Sequence, residues 1–129
     1  MILVDTSVWV DHFRGVVDPQ TTKLEIALAR DAVLVGDLIL LEILQGTRDE
    51  RHAIRIEREM RRFLIVPLLD DTLAVRAAWN FRKLRSLGIT IRKTADIIIG
   101  TFCSERGHVL LHDDRDFDLM AQHLGLRVV

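Results

Sequence analysis

Four carboxylates recur at the edges of apolar segments. Asp5 follows Ile2-Leu3-Val4, Glu42 follows Leu38-Ile39-Leu40-Leu41, Asp96 precedes Ile97-Ile98-Ile99, and Asp114 comes shortly after Val109-Leu110-Leu111-His112. A carboxylate beside a core segment is costly to bury unless a cation or hydrogen-bond donors offset its charge. Three or four such groups converging select a hard divalent cation, Mg2+ or Mn2+, because oxygen ligands suit those ions whereas zinc favours imidazole and thiolate. One or two ions held this way would activate a water beside a phosphodiester, and no protein nucleophile would be needed.

The elements that must position these acids are legible as short apolar runs alternating with longer helical patterns. That alternation predicts an α/β fold with a central, mostly parallel sheet of four to five strands flanked by helices in three layers, formed by a single domain over residues 1–129. Strands are expected at Ile2–Val4, Val33–Val35, Leu64–Val66 and Val109–Leu111, with Leu126–Val129 closing the sheet. Ser7, Asp37, Thr94 and Asp116 are each suited to capping a helix, while Gly15, Gly46 and Gly88 are suited to ending one. In an open parallel sheet, residues just past the carboxyl ends of the strands face a common crevice. Asp5 and Asp114 hold such positions; Asp96 lies in the first turn of its helix and Glu42 on a helix interior.

Composition narrows the function classes. The chain has 129 residues, 49% hydrophobic and 29% charged, a balanced composition with no bilayer-length apolar stretch. Met1 leads directly into Ile2-Leu3-Val4-Asp5 without a secretory pattern, so a cytoplasmic protein is expected. The single cysteine, Cys103, excludes an internal disulfide framework, and it reads as a buried thiol. A formal net charge of -1 argues against a generally basic nucleic-acid binder and leaves local patches to do that work. The histidines at 12, 52, 108, 112 and 123 show no paired ligand spacing.

Each acid also has a plain structural role open to it. Asp5 could cap the first helix, although Ser7 can do so too. Glu42 could be a solvated helix residue, but its neighbours Leu38, Ile39, Leu41, Ile43 and Leu44 leave little polar face. Asp96 could complement a helix dipole, a role compatible with ligation. Asp114 and Asp116 divide one ligand role and one capping role between them, with Asp114 favoured as ligand and Asp116 as a possible further ligand. Arg51, Arg55, Arg58 and Arg62 fall at helical spacing and could track phosphates, but pairing with Glu57 and Glu59 is the plainer reading. Arg92 and Lys93, just before Asp96, are the better placed RNA contacts. Trp9, Trp79 and Phe81 read as core or interface anchors.

Taken in order, Ile2-Leu3-Val4-Asp5-Thr6-Ser7, Leu41-Glu42-Ile43-Leu44-Gln45-Gly46, Thr94-Ala95-Asp96-Ile97-Ile98-Ile99-Gly100 and Leu111-His112-Asp113-Asp114-Arg115-Asp116-Phe117 resemble the motifs of PIN-domain ribonucleases, specifically the small VapC-type toxins of bacterial toxin-antitoxin pairs. The resemblance spans essentially the whole chain. It implies Asp5, Glu42, Asp96 and Asp114 as the acidic site, with Asp116 a further member and Thr6 or Ser7 orienting an acid or a water. His112 stands where such proteins commonly have Thr, and Asp113 adds a carboxylate, so ligand assignment within 113–116 stays open. The resemblance further implies an RNA substrate, a VapB-type antitoxin and a homodimer. The alternative is a catalytically silent module of the same fold that binds nucleic acid or protein; mutually repelling carboxylates favour the enzyme. An aspartate-based phosphatase would need a second Asp where Ser7 stands, and a receiver-like domain an acid at Thr6.

Overall fold

The computed structural model describes all residues, Met1–Val129. Four strands, β1 (Ile2–Val4), β2 (Val33–Gly36), β3 (Leu64–Val66) and β4 (Val109–Leu111), form one sheet in the order β3-β2-β1-β4. The β1–β2 and β2–β3 pairs are parallel, with Leu3 opposite Leu34 and Val35 opposite Ile65. Seven helices flank them: α1 (Thr6–Phe13), α2 (Pro19–Ala29), α3 (Asp37–Gln45), α4 (Glu50–Met60), α5 (Asp71–Ser86), α6 (Thr94–Arg106) and α7 (Arg115–Leu124). The expected α/β class and parallel sheet are therefore borne out. The C-terminal run that was expected to close the sheet forms no strand. It adds a single parallel bridge between Leu110 and Val128, with the Leu110 N–H donating to Arg127 O at 2.9 Å.

Contacts divide the chain into two compact units, Met1–Pro67 with Leu111–Asp113, and Leu68–Leu110 with Asp114–Val129. In the first, the buried strands supply Leu3, Val4 and Val35, and helices add Trp9, Leu24, Ile39 and Met60. Trp9 stacks on Phe13 at a centroid distance of 5.9 Å and meets Phe63 at 5.4 Å. Its buried indole N–H finds no acceptor, an omission that costs about 1–3 kcal/mol in such settings. In the second unit, α6 is buried over its central stretch, Asp96–Cys103, and packs against α5 and α7. Cys103 is fully buried, as expected of a structural thiol. A buried Asn80 amide donates to Thr101 Oγ1 at 3.0 Å and so satisfies both polar groups inside the α5–α6 contact.

Helix starts depart by a residue or two from the sequence expectation. Ser7, Asp37 and Thr94 lie inside the first turn of α1, α3 and α6, whose cap positions are Asp5, Gly36 and Lys93. Asp18, Asp49 and Asp70 are true side-chain caps. No helix is long and apolar enough to cross a membrane.

Candidate active site

In the first unit the sheet holds the opening motif by its backbone. Asp5 leaves β1 with its N–H donating to Leu111 O at 2.9 Å, and only 8% of the residue is exposed. Although Asp5 stands at the cap position of α1, its side chain makes no capping bond. The capping role that sequence left open is thus not the one it fills. Ser7 Oγ instead donates to Asp5 Oδ2 at 3.4 Å, and Thr6 Oγ1 donates to Glu42 Oε1 at 2.8 Å. The Thr6 bond ties the half-buried Glu42 of α3 to the start of α1, 36 residues earlier in the chain. The Gln20 side-chain amide on α2 donates to His112 O at 2.6 Å and fixes the segment after β4. Nothing in the sequence marks Gln20, because its partner lies 92 residues away and is a backbone carbonyl.

In the second unit two of the acids, Asp114 and Asp116, pair with one arginine. Asp96 occupies the first turn of α6 and is 5% exposed; Asp116 occupies the first turn of α7 and is 6% exposed. Asp114, not Asp116, caps α7, its carboxylate accepting the Asp116 N–H at 2.9 Å. The expected division of labour is thereby reversed for the cap: both residues carry a carboxylate, and the buried one is Asp116. Arg92 Nε lies 3.3 Å from Asp116 Oδ2 and its Nη2 3.5 Å from Asp114 Oδ1, while its backbone N–H donates to the same Asp116 oxygen at 3.4 Å. The guanidinium pKa is raised above its ordinary value, first by the hydrogen bond to Asp116, then by the charges of Asp116 and Asp114, and least by that of Asp96; desolvation opposes. Lys93 is exposed at the cap position of α6.

As these side chains stand, no group of three or more His, Cys, Asp or Glu is closed to metal-ligand range. The donor chemistry nevertheless fits a hard cation: two carboxylates of the second unit, Asp114 and Asp116, already pair with one positive charge, and every candidate ligand offers oxygen. The arginine stripe on α4 is exposed, and the local glutamates pair with Arg61 and Arg62, at 2.6 Å from Glu57 and 3.1 Å from Glu59. Trp9 is core, whereas Trp79 is 42% exposed with the Arg76 guanidinium 4.5 Å from its ring centroid.

A parallel α/β chain with acids directly after its first strand and at the starts of two helices defines a carboxylate-bearing class of α/β domain. The chain belongs to the PIN domain family, whose model matches residues 2–122. It is 31% identical to the VapC ribonuclease Mb1587 of Mycobacterium bovis and likewise to ribonuclease VapC11 of Mycobacterium tuberculosis, each over 98% of this chain and 96% of the relative. Among solved structures, VapBC2 from Rickettsia felis bound to a promoter DNA fragment superposes with a TM-score of 0.79 at 16% identity, covering 100% of this chain and 98% of the other. FitAB bound to a DNA fragment gives 0.79 at 18% identity, covering 100% and 94%.

Proposed function

We propose that this PIN-domain protein is an endoribonuclease toxin that hydrolyses RNA phosphodiester bonds with a carboxylate-bound Mg2+ or Mn2+, restraining growth and translation until a VapB-type antitoxin neutralises it. The observation that carries the metal reading is the burial of Asp5, Asp96 and Asp116, with Asp114 and Asp116 both paired to the Arg92 guanidinium in the second unit. RNA as substrate, and an antitoxin as partner, are supported by the ribonuclease relatives at 31% identity and by VapBC complexes among the structural neighbours.

In this reading, which rests on the family's motifs, Asp5, Asp96, Asp114 and Asp116 are the residues that would serve as cation ligands, and Glu42 would be the remaining catalytic acid. A divalent ion bound by carboxylates supplies an activated water and offsets charge on the phosphoryl group. The chain's own residues do the positioning. Thr6 fixes the Glu42 carboxylate, and Ser7 steadies Asp5. Arg92 and Lys93, both exposed, offer phosphate contacts beside the acids.

Cleavage of a mixed RNA substrate by the purified protein in Mg2+ or Mn2+, against a chelator control, tests the proposal. Asp96→Asn removes the charge with little change of shape and is expected to abolish cleavage while leaving the thermal midpoint of the metal-free protein within a few degrees. Cleavage by the Asn variant at the parent rate would sink the mechanism. Retention of RNA binding with no cleavage by the parent under any divalent ion would favour the silent binding module instead.

A further inference from the structure

The reaction proposed above leaves a one-signed stretch of the chain without a role. No acid occurs between Asp71 and Asp96, whereas Arg76, Arg82, Lys83, Arg85, Arg92 and Lys93 do, in a chain whose formal net charge is -1. Four of these cations lie on α5. This helix buries Leu73, Ala77, Asn80 and Leu84, the stripe expected from 3.6 residues per turn, and Arg76, Trp79 and Lys83 share a flank outside it. Trp79 is 42% exposed, an uncommon setting for so large a ring. The Arg76 guanidinium lies 4.5 Å from its centroid and the Lys83 ammonium 5.3 Å, so cations hold the ring at the surface.

The pairing of Arg76 with Glu105 at 2.8 Å and of Asn80 with Thr101 at 3.0 Å sets α5 antiparallel to α6. The C-terminal half of α5 therefore leads to the start of α6, where Arg82 and Arg85 border one groove with Thr94 and Ile97, and where Asp96 sits. Of the four cations only Arg76 is neutralised by an ion pair within the chain. Arg82 and Lys83, three and four residues beyond Trp79, stand beside it on the helix surface. We infer that the C-terminal half of α5 is a platform for single-stranded RNA, with one unpaired base stacked on Trp79 and the neighbouring phosphates against Arg82 and Lys83. The inference rests on RNA being the substrate and adds which form of RNA the protein takes. Base–aromatic stacking is open to every base, because each has a flat face, so the platform holds a strand without reading its sequence. Bases inside a duplex are already stacked on one another and cannot reach the indole, so the same device selects single strands. An acidic peptide would satisfy the cations and offer Trp79 no flat partner. A nucleotide brings the anion and the ring together at each step.

The two tryptophans make the test direct, since Trp9 is 1% exposed in the core and only Trp79 can meet a base. Oligouridylate of about 12 nucleotides, the length a small single-strand site spans, is titrated into the full chain carrying Asp96→Asn, so that the strand stays intact, with emission and filter retention read together. Single-stranded RNA is expected to quench the Trp79 emission, and a duplex of the same length to leave it unchanged. Trp79→Phe should remove the quenching and keep most of the affinity, because a flat ring remains. Trp79→Leu, which keeps apolar bulk without the ring, should weaken retention about tenfold. Replacing Arg82 and Lys83 by Gln should lower the slope of log affinity against log salt by about one. RNA retained on the filter without quenching, or held by Trp79→Leu as tightly as by Trp79, would overturn the platform and leave the RNA reading standing. Emission that shifts with protein concentration and not with RNA would place a second copy on Trp79 and overturn it as well. No retention of RNA by any variant would overturn both the platform and the RNA reading.

Discussion

Thr6→Val removes one hydroxyl and keeps the shape of the side chain, so it isolates the bond from Thr6 Oγ1 to Glu42 Oε1. That bond is 2.8 Å long, has an ionisable acceptor, and is half-buried at both ends. Hydrogen bonds to charged groups contribute about 1.5–3 kcal/mol, and water can reach part of this carboxylate once the hydroxyl is gone, so a loss of about 1–1.5 kcal/mol is expected. Thr and Val have similar helix propensities, and position 6 opens α1, so the backbone adds little to the difference. Urea unfolding of parent, Thr6→Val and Thr6→Ser would show the midpoint falling for Val and returning toward the parent for Ser, at constant slope. If Glu42 must be held to serve the proposed reaction, releasing it should also lower the RNA cleavage rate by about tenfold, since about 1.4 kcal/mol corresponds to that factor. A Thr6→Val protein as stable and as active as the parent would refute the positioning role of Thr6.

Three further outcomes follow from the same geometry. Asp114→Asn should keep α7 capped while removing a carboxylate, whereas Asp114→Ala should lose about 1 kcal/mol of stability as well; equal activity of parent and Asn variant would leave Asp114 a cap alone. Gly100→Ala should destabilise by about 1–2 kcal/mol in thermal or denaturant unfolding, because the added methyl would collide with Met120 Sδ, and overpacking outweighs the helix-propensity gain. Replacing Arg92 and Lys93 by Glu should weaken RNA binding and flatten its dependence on salt, as measured by filter binding over a salt series; an unchanged slope would remove both from the RNA surface.

The sequence made the strands visible because each is a short apolar run bounded by turn residues, and Leu3, Val4, Val35 and Leu110 are buried accordingly. It made Asp5 and Asp96 visible for a related reason: a charged residue between apolar neighbours has to be accommodated, and both are nearly buried. Capping was less legible. Several residues near each helix start have capping chemistry, and the one that caps is set by where the chain leaves the preceding strand, which moved the cap of α7 from Asp116 to Asp114. The Arg92 contacts span 22 and 24 residues and the Gln20 contact 92, and no local pattern encodes such pairings.

Calorimetric titration of Mn2+ into the purified protein tests the central claim most directly, since it reads cation binding without needing the RNA sequence that is cleaved. The account predicts saturable binding that Asp5→Asn, Asp96→Asn and Asp116→Asn each weaken by about tenfold or more, with a matching loss of the metal-induced rise in thermal midpoint. Binding that all three variants leave at the parent's strength would contradict it.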